Sequence, residues 1–487
     1  MLAKLRTWYT DLPTGAGLVL AFTGLVLAAV LVAVASGYYF LAAAPVLGLV
    51  VYLAIVDFRQ LYWLLIAAIP ISTEIALPNG LGTDLPTEPL IVGLMLLFGV
   101  FVLQHLSRLS TDLLRHPITL LLLLHVGWIA CTTLTSDLFV VSFKFLLAKI
   151  WYVVTFYGLT AYLVRNETDF RRLFWIFFWP FLAVVVIVMT RHALLGFSFQ
   201  GIHSIMHPFQ RNHVNYAATL AIFYPFLLMM LGQARRWSWQ YLLLLGTVLL
   251  VFVAIYFSFT RAAYVALFAA AGMYYVIRWR LTRVALLGTG LAVVLSVVYF
   301  VHENTYLDYA PNFDRTISHE QFDNLIEATY KMEDISTMER VYRWVAAGHM
   351  APERPLLGWG PGNFVNFYKP FAVTSFQTYV SDNPEKSGIH SYYFMTLVEQ
   401  GIPGLLLFLA FLAIVFIHGE GLYHRLADHP CRQQMVMTLL LSLTIIAAFL
   451  IINDQLENDK VGSFFFINLA ILVNQDLFLL REKRKAA

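Results

Sequence analysis

The sequence has little charge and almost no cysteine. Of its 487 residues, 13% are Asp, Glu, Lys or Arg, against roughly 25% in an average soluble domain. The two cysteines, Cys131 and Cys431, lie in or beside apolar runs and cannot form a disulfide framework. No low-complexity linker and no separate soluble domain interrupt the chain. With 60% hydrophobic residues and a mean hydropathy of +0.71, this composition indicates a polytopic membrane protein.

The small excess of positive charge does not indicate a nucleic-acid partner. The net charge is +3, and the basic residues form short clusters between apolar runs. We also expect no cleavable signal peptide, because the first apolar run after residues 1–12 is long enough to span a membrane and has no small-residue cleavage site.

Long apolar runs dominate the chain. A helix needs about 20 apolar residues to cross a hydrocarbon core of about 30 Å. Fourteen runs are close to this length: 15–36, 39–56, 61–77, 89–106, 117–134, 146–164, 171–194, 214–231, 239–258, 261–279, 283–302, 391–418, 434–452 and 461–480. Pro70 interrupts the third run, and Lys144 and Lys149 flank the start of the sixth. We therefore predict an all-α fold with about 12 to 14 transmembrane helices.

Charge in the loops predicts the orientation, because loops rich in Lys and Arg stay in the cytoplasm. The basic clusters fall in alternate loops: Arg108 with Arg115, Arg165 with Arg171 and Arg172, Arg235 with Arg236, Arg278 with Arg280 and Arg283, and Arg425 with Arg432. The C-terminal tail is basic as well, which predicts that both termini are cytoplasmic. The expected divisions are a bundle of about 11 helices at 1–302, a large periplasmic loop with short amphipathic helices at 303–390, and about three helices at 391–487.

Two arginines on the predicted outer side run against this bias. Arg211 precedes one apolar run, and Arg261 lies in the tightest outer turn. A guanidinium at a membrane boundary usually has a partner, and two guanidinium groups are suited to a phosphate or diphosphate, which they bind bidentately. The alternative is that each arginine reaches the lipid headgroups or pairs with a carboxylate of an outer loop.

A histidine ends the long polar segment. His390 comes directly before the apolar run 391–418, where it is either a polar cap and interfacial anchor or a general base that takes a proton from a hydroxyl group. Gly401 and Pro403 predict a break after the first turns of the following helix, which lets residues 391–400 tilt and places His390 in a cavity.

The segment before His390 is amphipathic. Arg340 and Arg343 fall at helical spacing, and the turn-rich element 355–364 contains several glycines as well as Trp359 and Asn363. These glycines lack the strand, the helix and the Lys-Ser pair of a nucleotide-binding loop, which excludes that function. Trp359 and the neighbouring aromatic residues line a sugar-binding surface or rest on the membrane interface.

The chain resembles the O-antigen ligase and polymerase family of membrane glycosyltransferases. His390-Ser391, followed by nine residues and Gly401-x-x-Gly404, fits the family pattern at the end of the large outer loop. Arg261 matches the family's Arg-x-x-x-Leu position, with Val265 in place of the leucine. Arg211 is similar to the family's other outer arginine.

The resemblance implies an inverting glycan transfer without metal or cofactor. The donor is a glycan linked to undecaprenyl diphosphate, and the acceptor is a sugar hydroxyl on lipid A-core or another glycan. Arg211 and Arg261 hold the diphosphate, and His390 is the general base. Arg340 and Arg343, together with Trp359 and Asn363, are candidates for binding the substrate. The chain has no Asp-x-Asp motif on the predicted outer side and no convincing metal-ligand cluster.

Several functions remain open. The same chemistry serves a ligase, a polymerase of O-antigen or exopolysaccharide repeats, and a protein O-oligosaccharyltransferase. A transporter or flippase of lipid-linked sugars is the alternative of another class. Transporters typically carry ionisable residues in mid-span or paired broken helices, and the sequence predicts neither. Lys144 and Lys149 are instead interpreted as marking an interfacial helix.

Overall fold

The computed structural model describes residues 14–38, 41–42, 44–76, 82–105, 111–199, 201–309, 335–377, 381–383 and 386–486. Residues 1–12 and Arg108, used above, lie outside this part. The chain divides into two units, Met1–Leu65 and Ile66–Ala487.

The described residues are mostly helical. The helices are α1 (Thr14–Ser36), α2 (Ala44–Val56), α3 (Phe58–Ala68), α4 (Thr87–Gln104), α5 (Pro117–Leu134), α6 (Phe139–Tyr152), α7 (Thr160–Leu163), α8 (Glu167–Leu194), α9 (Ile202–Ile205), α10 (His213–Gln233), α11 (Trp239–Tyr256), α12 (Arg261–Arg278), α13 (Thr282–Val301), α14 (Ile335–Met350), α15 (Phe364–Phe367), α16 (Tyr392–Arg425), α17 (Pro430–Ile452) and α18 (Asp459–Ala486). A π-helical segment, Val153–Leu159, joins α6 to α7. Short 3₁₀ segments are Ile69–Ile71, His302–Tyr309, Ala351–Glu353, Lys369–Phe371, Thr374–Phe376 and Gln455–Glu457.

The all-α, multi-pass membrane fold is confirmed, with fewer long helices than the sequence predicted. Among the described residues, eleven helices are long and apolar enough to cross a membrane. The predicted runs 39–56 and 61–77 form only the shorter helices Ala44–Val56 and Phe58–Ile71. The run 261–279 forms α12, whose terminal arginines lower its average hydropathy. The sixth run is part of the continuous helix Phe139–Leu163 and is one of the eleven.

Three helices form the buried centre of the larger unit. Among the eleven, α10, α17 and α18 have the largest buried share, and they pack against one another. Aromatic rings fill the contact with α8: the Phe177 centroid lies 4.7 Å from that of Phe223 and 4.8 Å from that of Phe464. Such tilted and edge-on pairs add to the free energy gained by burying the rings. The loops at the ends of α10, α17 and α18 therefore start from a rigid base.

A β-hairpin precedes α4, which the sequence analysis did not anticipate. Strands β1 (Thr73–Ala76) and β2 (Gly82–Leu85) are antiparallel, and Glu74 pairs with Asp84. Directly opposite residues of an antiparallel pair project on the same face. The hairpin therefore presents two carboxyl groups side by side.

The break predicted in α16 is present at Gly401. Its backbone is left-handed and extended (φ 72°, ψ −178°), a conformation that glycine adopts without strain. The break leaves helix carbonyls without intrahelical partners. The 355–364 segment supplies their donors, since Trp359 N lies 2.9 Å from the Val398 carbonyl and Gly360 N lies 3.0 Å from that of Glu399. This segment thereby fixes the angle of the first turns of α16.

Candidate active site

A cavity of about 1230 Å³ lies at the end of the bundle where α10 and α18 begin and α17 ends. The β-hairpin, the loop before α10, helix α14 and the loop before α16 complete its wall. Four predicted site residues line it: Arg211, Arg340, Arg343 and His390. The fold thus brings together cationic and titratable side chains from three distant parts of the sequence.

Arg211 lies on the exposed rim of the cavity. It precedes Asn212, which caps α10 by accepting a hydrogen bond from Asn215 N (2.9 Å). The Arg211 side chain is 66% exposed, and its Nε lies 3.7 Å from Oε2 of Glu74 on the hairpin. A solvated ion pair of this kind contributes only about 0–1 kcal/mol. An anionic ligand can therefore replace Glu74 at little cost in free energy.

Arg343 ties helix α14 to the loop that carries His390. It is 4% exposed, and its Nη1 donates to the Gly388 carbonyl (2.9 Å). Its Nη2 lies 3.4 Å from Oε2 of Glu339, one turn earlier on α14. The Nε atom of Arg343 has no hydrogen-bond partner among the described residues. This geometry makes Arg343 a buried support for the His390 loop.

Arg340 lies one helical turn before Arg343 on α14. Its Nε donates to the carbonyl of Ile452 at the end of α17 (3.3 Å). Residues three apart share a helix face, so both guanidinium groups face the cavity from the same side. The pair fixes α14 against the loop before α16 and against the end of α17.

His390 occupies the turn immediately before α16. Its backbone is left-handed (φ 56°), and the next residue, Ser391, caps the helix by accepting from Phe394 N (3.5 Å). Burial lowers the pKa of His390 to about 4; Asp454 opposes this shift and Arg340 reinforces it. The imidazole is therefore neutral near pH 7 and has a lone pair that can accept a proton.

Asp454 was missed as a site residue by the sequence analysis. A Cβ atom built on Gly388 would overlap with Oδ2 of Asp454, so the carboxylate lies against the backbone of the His390 loop. The neighbouring Asn453 carbonyl accepts from Tyr392 N (3.2 Å) and holds the two segments together. A glycine two residues before the histidine was the sequence signal for this close approach.

The hairpin side of the cavity is acidic and was also missed. Burial raises the pKa of Asp84 to about 7; the charge of Asp459 adds to the shift, and that of Lys460 opposes it. Lys460 is buried, with Nζ 3.0 Å from both the carbonyl and the Oγ of Ser72. The cavity is thus lined by charges of both signs rather than by cations alone.

A buried ion pair lies beside the cavity. Lys149 is 2% exposed, contacts the carboxylate of Glu457 in the cavity wall, and donates to the Tyr392 hydroxyl (3.0 Å). Lys149 is therefore a buried, paired residue of the continuous helix Phe139–Leu163, whereas the sequence interpretation made it the mark of an interfacial helix. The apolar neighbours of Lys149 in sequence gave no sign of the distant Glu457.

Trp359 and Asn363 do not line the cavity. Trp359 is buried, with Nε1 donating to the Met350 carbonyl (3.2 Å). Asn363 is buried too, and its Nδ2 donates to Ser136 Oγ (2.7 Å) and to the Trp359 carbonyl (2.9 Å). The carboxylate of Glu399 accepts from Gly362 N (2.7 Å). These contacts hold the 355–364 segment on α16.

Arg261 begins α12 and does not line the cavity either. The preceding residue, Thr260, is buried, and its Oγ1 donates to the carbonyl of His213 (3.4 Å). His213 is part of the cavity wall. Arg261 therefore directly follows a residue that is hydrogen-bonded to the cavity wall.

One group with the composition of a metal site lies at the other end of α16 and α18. Oδ2 of Asp476 is 3.2 Å from Nε2 of His116 and 2.9 Å from Nε2 of His418. The Nδ1 atom of His116 accepts from Ile118 N (3.3 Å), so the ring proton is on Nε2 and is donated to Asp476. Because metal binding through Nε2 needs the other tautomer, this arrangement favours a hydrogen-bonded network.

Comparison with known proteins finds a family match for part of the chain. The family model described as O-antigen ligase matches residues 246–409, and no curated protein matches the chain. The matched range includes Arg261, Arg340, Arg343 and His390, and it extends past Gly404. Residues 246–409 thus match the O-antigen ligase family, which confirms the family resemblance and supports membrane glycan transfer of the O-antigen ligase type.

Proposed function

We propose that the protein transfers a glycan from an undecaprenyl-diphosphate carrier to a sugar hydroxyl, and that the reaction takes place in this cavity. The observation that carries the proposal is that Arg211, Arg340 and Arg343 line one cavity together with His390, whose imidazole is neutral near pH 7. Anion binding and proton acceptance are the two capacities that such a transfer needs from the protein.

The arginines account for the diphosphate. Arg340 on one wall and Arg211 on the rim bind the phosphate oxygens, and Glu74 releases Arg211 when the donor arrives. Their positive charges stabilise the negative charge that develops on the diphosphate as it leaves. Such stabilisation of the transition state is commonly a large part of an enzyme's rate enhancement. Arg343 acts mainly by holding the His390 loop. Arg261, at the margin, adds a further positive charge.

His390 accounts for the proton. The imidazole removes the proton from the acceptor hydroxyl, whose oxygen attacks the anomeric carbon as the bond from that carbon to the diphosphate oxygen breaks. The electron pair leaves with the diphosphate, and the configuration inverts. Because Arg340 contributes to the low pKa of His390, a bound diphosphate offsets that charge and makes His390 a stronger base. Asp454 then stabilises the imidazolium.

The charge of the loops supports a proposed location, and the family match supports a glycan as the acceptor. The bias of Lys and Arg in the loops supports cytoplasmic termini and a cavity on the periplasmic side of the inner membrane. The divisions at 1–302, 303–390 and 391–487 remain a prediction. We propose lipid A-core as the acceptor, and a second repeat unit, as in a polymerase, is the alternative.

The test uses the purified full-length protein in detergent. We expect His390→Gln to lower the rate of transfer at least 100-fold, the lower end of general-base contributions, with a nearly unchanged KM for the donor. Arg340→Met raises the donor KM. The control is Arg278→Met, at the far end of α12, where the guanidinium donates to the Tyr274 hydroxyl (3.3 Å). Transfer by His390→Gln at the wild-type rate would overturn the proposal.

The buried pair of Lys149 and Glu457 keeps a transporter as the second candidate, because ionisable residues within spans often mark transport routes. The two functions differ in what they need. Transfer proceeds in detergent with no second compartment, whereas translocation is measured as movement of a labelled headgroup across liposomes. Headgroup movement together with no transfer in detergent would favour the transporter.

A further inference from the structure

Three amide side chains in the cavity wall have polar atoms that the fold leaves unused. These atoms are Oε1 of Gln210, Nδ2 of Asn453 and Oε1 of Gln455, and none of them has a hydrogen-bond partner among the described residues. Gln210 is 3% exposed and Asn453 is 4% exposed. All three residues line the cavity. Leaving a buried polar atom unpaired costs free energy, so three such atoms in one wall point to a ligand.

The amides lie beside the groups assigned to the reaction. Gln210 directly precedes Arg211, while Asn453 and Gln455 flank Asp454, whose carboxylate packs against the His390 loop. Gln455 Nε2 also donates to Oδ1 of Asn215 on the first turn of α10. That bond joins the segment after α17 to the start of α10. A ligand on these amides is therefore held next to both the arginine rim and the histidine.

The chemistry of the amides selects an uncharged ligand. The two unpaired oxygens accept hydrogen bonds, and the unpaired Nδ2 of Asn453 donates them. A phosphate presents only acceptor oxygens, so it would leave the amide oxygens unpaired. A sugar hydroxyl both donates and accepts, and it therefore satisfies the unpaired oxygens as well as the unpaired Nδ2 of Asn453.

We propose that Gln210, Asn453 and Gln455 form a subsite for the ring hydroxyls of a sugar. The inference rests on the proposed function and makes it more specific: the arginines hold the diphosphate, and the amides hold the sugar at the reacting carbon or at the attacking oxygen. The sugar belongs either to the donor glycan or to the acceptor, and the experiment distinguishes the two.

The variants are Gln210→Met and Asn453→Leu in the full-length protein, which remove the amide and nearly keep its size. The matched control is Gln434→Met, which replaces an exposed amide on α17 that accepts a hydrogen bond from Gln233 Nε2 (3.1 Å).

Three quantities are measured in detergent: the affinity for glycan-free undecaprenyl diphosphate, the KM of the glycan-bearing carrier and the KM of the acceptor. Each cavity variant is expected to raise one KM about 3- to 10-fold, the value of one neutral hydrogen bond. The affinity for the glycan-free carrier stays within about twofold, and the thermal midpoint does not fall, because an unpaired atom is removed.

Each outcome has one meaning. A higher donor KM places the donor sugar on the amides, and a higher acceptor KM places the acceptor sugar there. Unchanged KM values for both substrates overturn the subsite, and so does an equal loss of affinity for the glycan-free carrier.

The proposed function can fail separately. It fails if the wild type transfers no glycan but binds the glycan-bearing carrier more tightly than the glycan-free carrier. The subsite stands in that case only if Gln210→Met removes the difference in binding.

Discussion

The link from Arg343 to the His390 loop gives a prediction in which stability and catalysis respond differently. Arg343→Met removes two contacts at once: the ion pair with Glu339 and the hydrogen bond to the Gly388 carbonyl. A second variant combines Arg343→Met with Glu339→Gln, which removes the carboxylate charge as well. Neither variant restores a donor to Gly388.

The magnitude follows from burial. Glu339 is buried, so the single variant leaves a carboxylate without its guanidinium, at a cost of about 3–5 kcal/mol in the free energy of unfolding. Ser381 Oγ still donates to Glu339 Oε1 (2.6 Å), which favours the lower end of that range. Replacing both members of a buried pair with neutral side chains is often close to neutral in stability. The double variant should therefore recover most of the loss.

Catalysis should not recover with stability. Both variants release the loop that aims His390, and a misplacement of about 1 Å can lower a rate about 100-fold. We expect kcat to fall about 10- to 100-fold in both variants. The acid limb of the pH–rate profile should also move above pH 4, because the Arg343 charge helps to lower the pKa of His390. The assays are thermal unfolding and transfer kinetics in detergent. Equal stability of the two variants, or wild-type kcat in either, would refute the reasoning.

Three further predictions concern separate features. Gly401→Ala should lower the thermal midpoint and kcat, because the residue has a left-handed backbone and its added Cβ would overlap with the Leu356 carbonyl. The control is Gly421→Ala on the same helix. Its added Cβ meets no atom within 4 Å and should not lower the midpoint. Since burial raises the pKa of Asp84 to about 7, the wild type should lose stability as the pH rises from about 4 to 7, and a pH series of midpoints for Asp84→Asn should show a smaller loss. Arg261→Ala, with expression retained, should lower the rate of transfer, because it removes a positive charge beside the cavity; transfer at the wild-type rate would remove its proposed role.

Much of the fold was predictable because a chain that crosses the hydrocarbon core must form long apolar helices, in which the backbone polar groups are hydrogen-bonded. The helix ends agree to within a few residues for most runs, and the break at Gly401 followed from glycine and proline alone. The number of membrane-spanning helices among the described residues was overestimated because the prediction counted apolar residues and could not see where each helix begins and ends. Short helices such as Ala44–Val56 have the composition of a span but not the length.

Site residues were predictable where a charged or titratable residue stands beside an apolar run of the sequence. Arg211 and His390 were noticed as polar residues at the ends of apolar runs, and both line the cavity. Trp359 and Asn363 carry groups suited to sugar binding, but those groups are used within the fold. The reverse holds for Asp454, whose importance depends on a tertiary contact with Gly388, a residue far from it in the sequence.

One measurement tests the central claim most directly: transfer by the purified protein of a labelled glycan from undecaprenyl diphosphate to acceptor, comparing His390→Gln with the wild type. The variant should still bind glycan-free undecaprenyl diphosphate through Arg211 and Arg340 while transferring at least 100-fold more slowly. Wild-type transfer by the variant would show that His390 and its cavity are not where the reaction takes place.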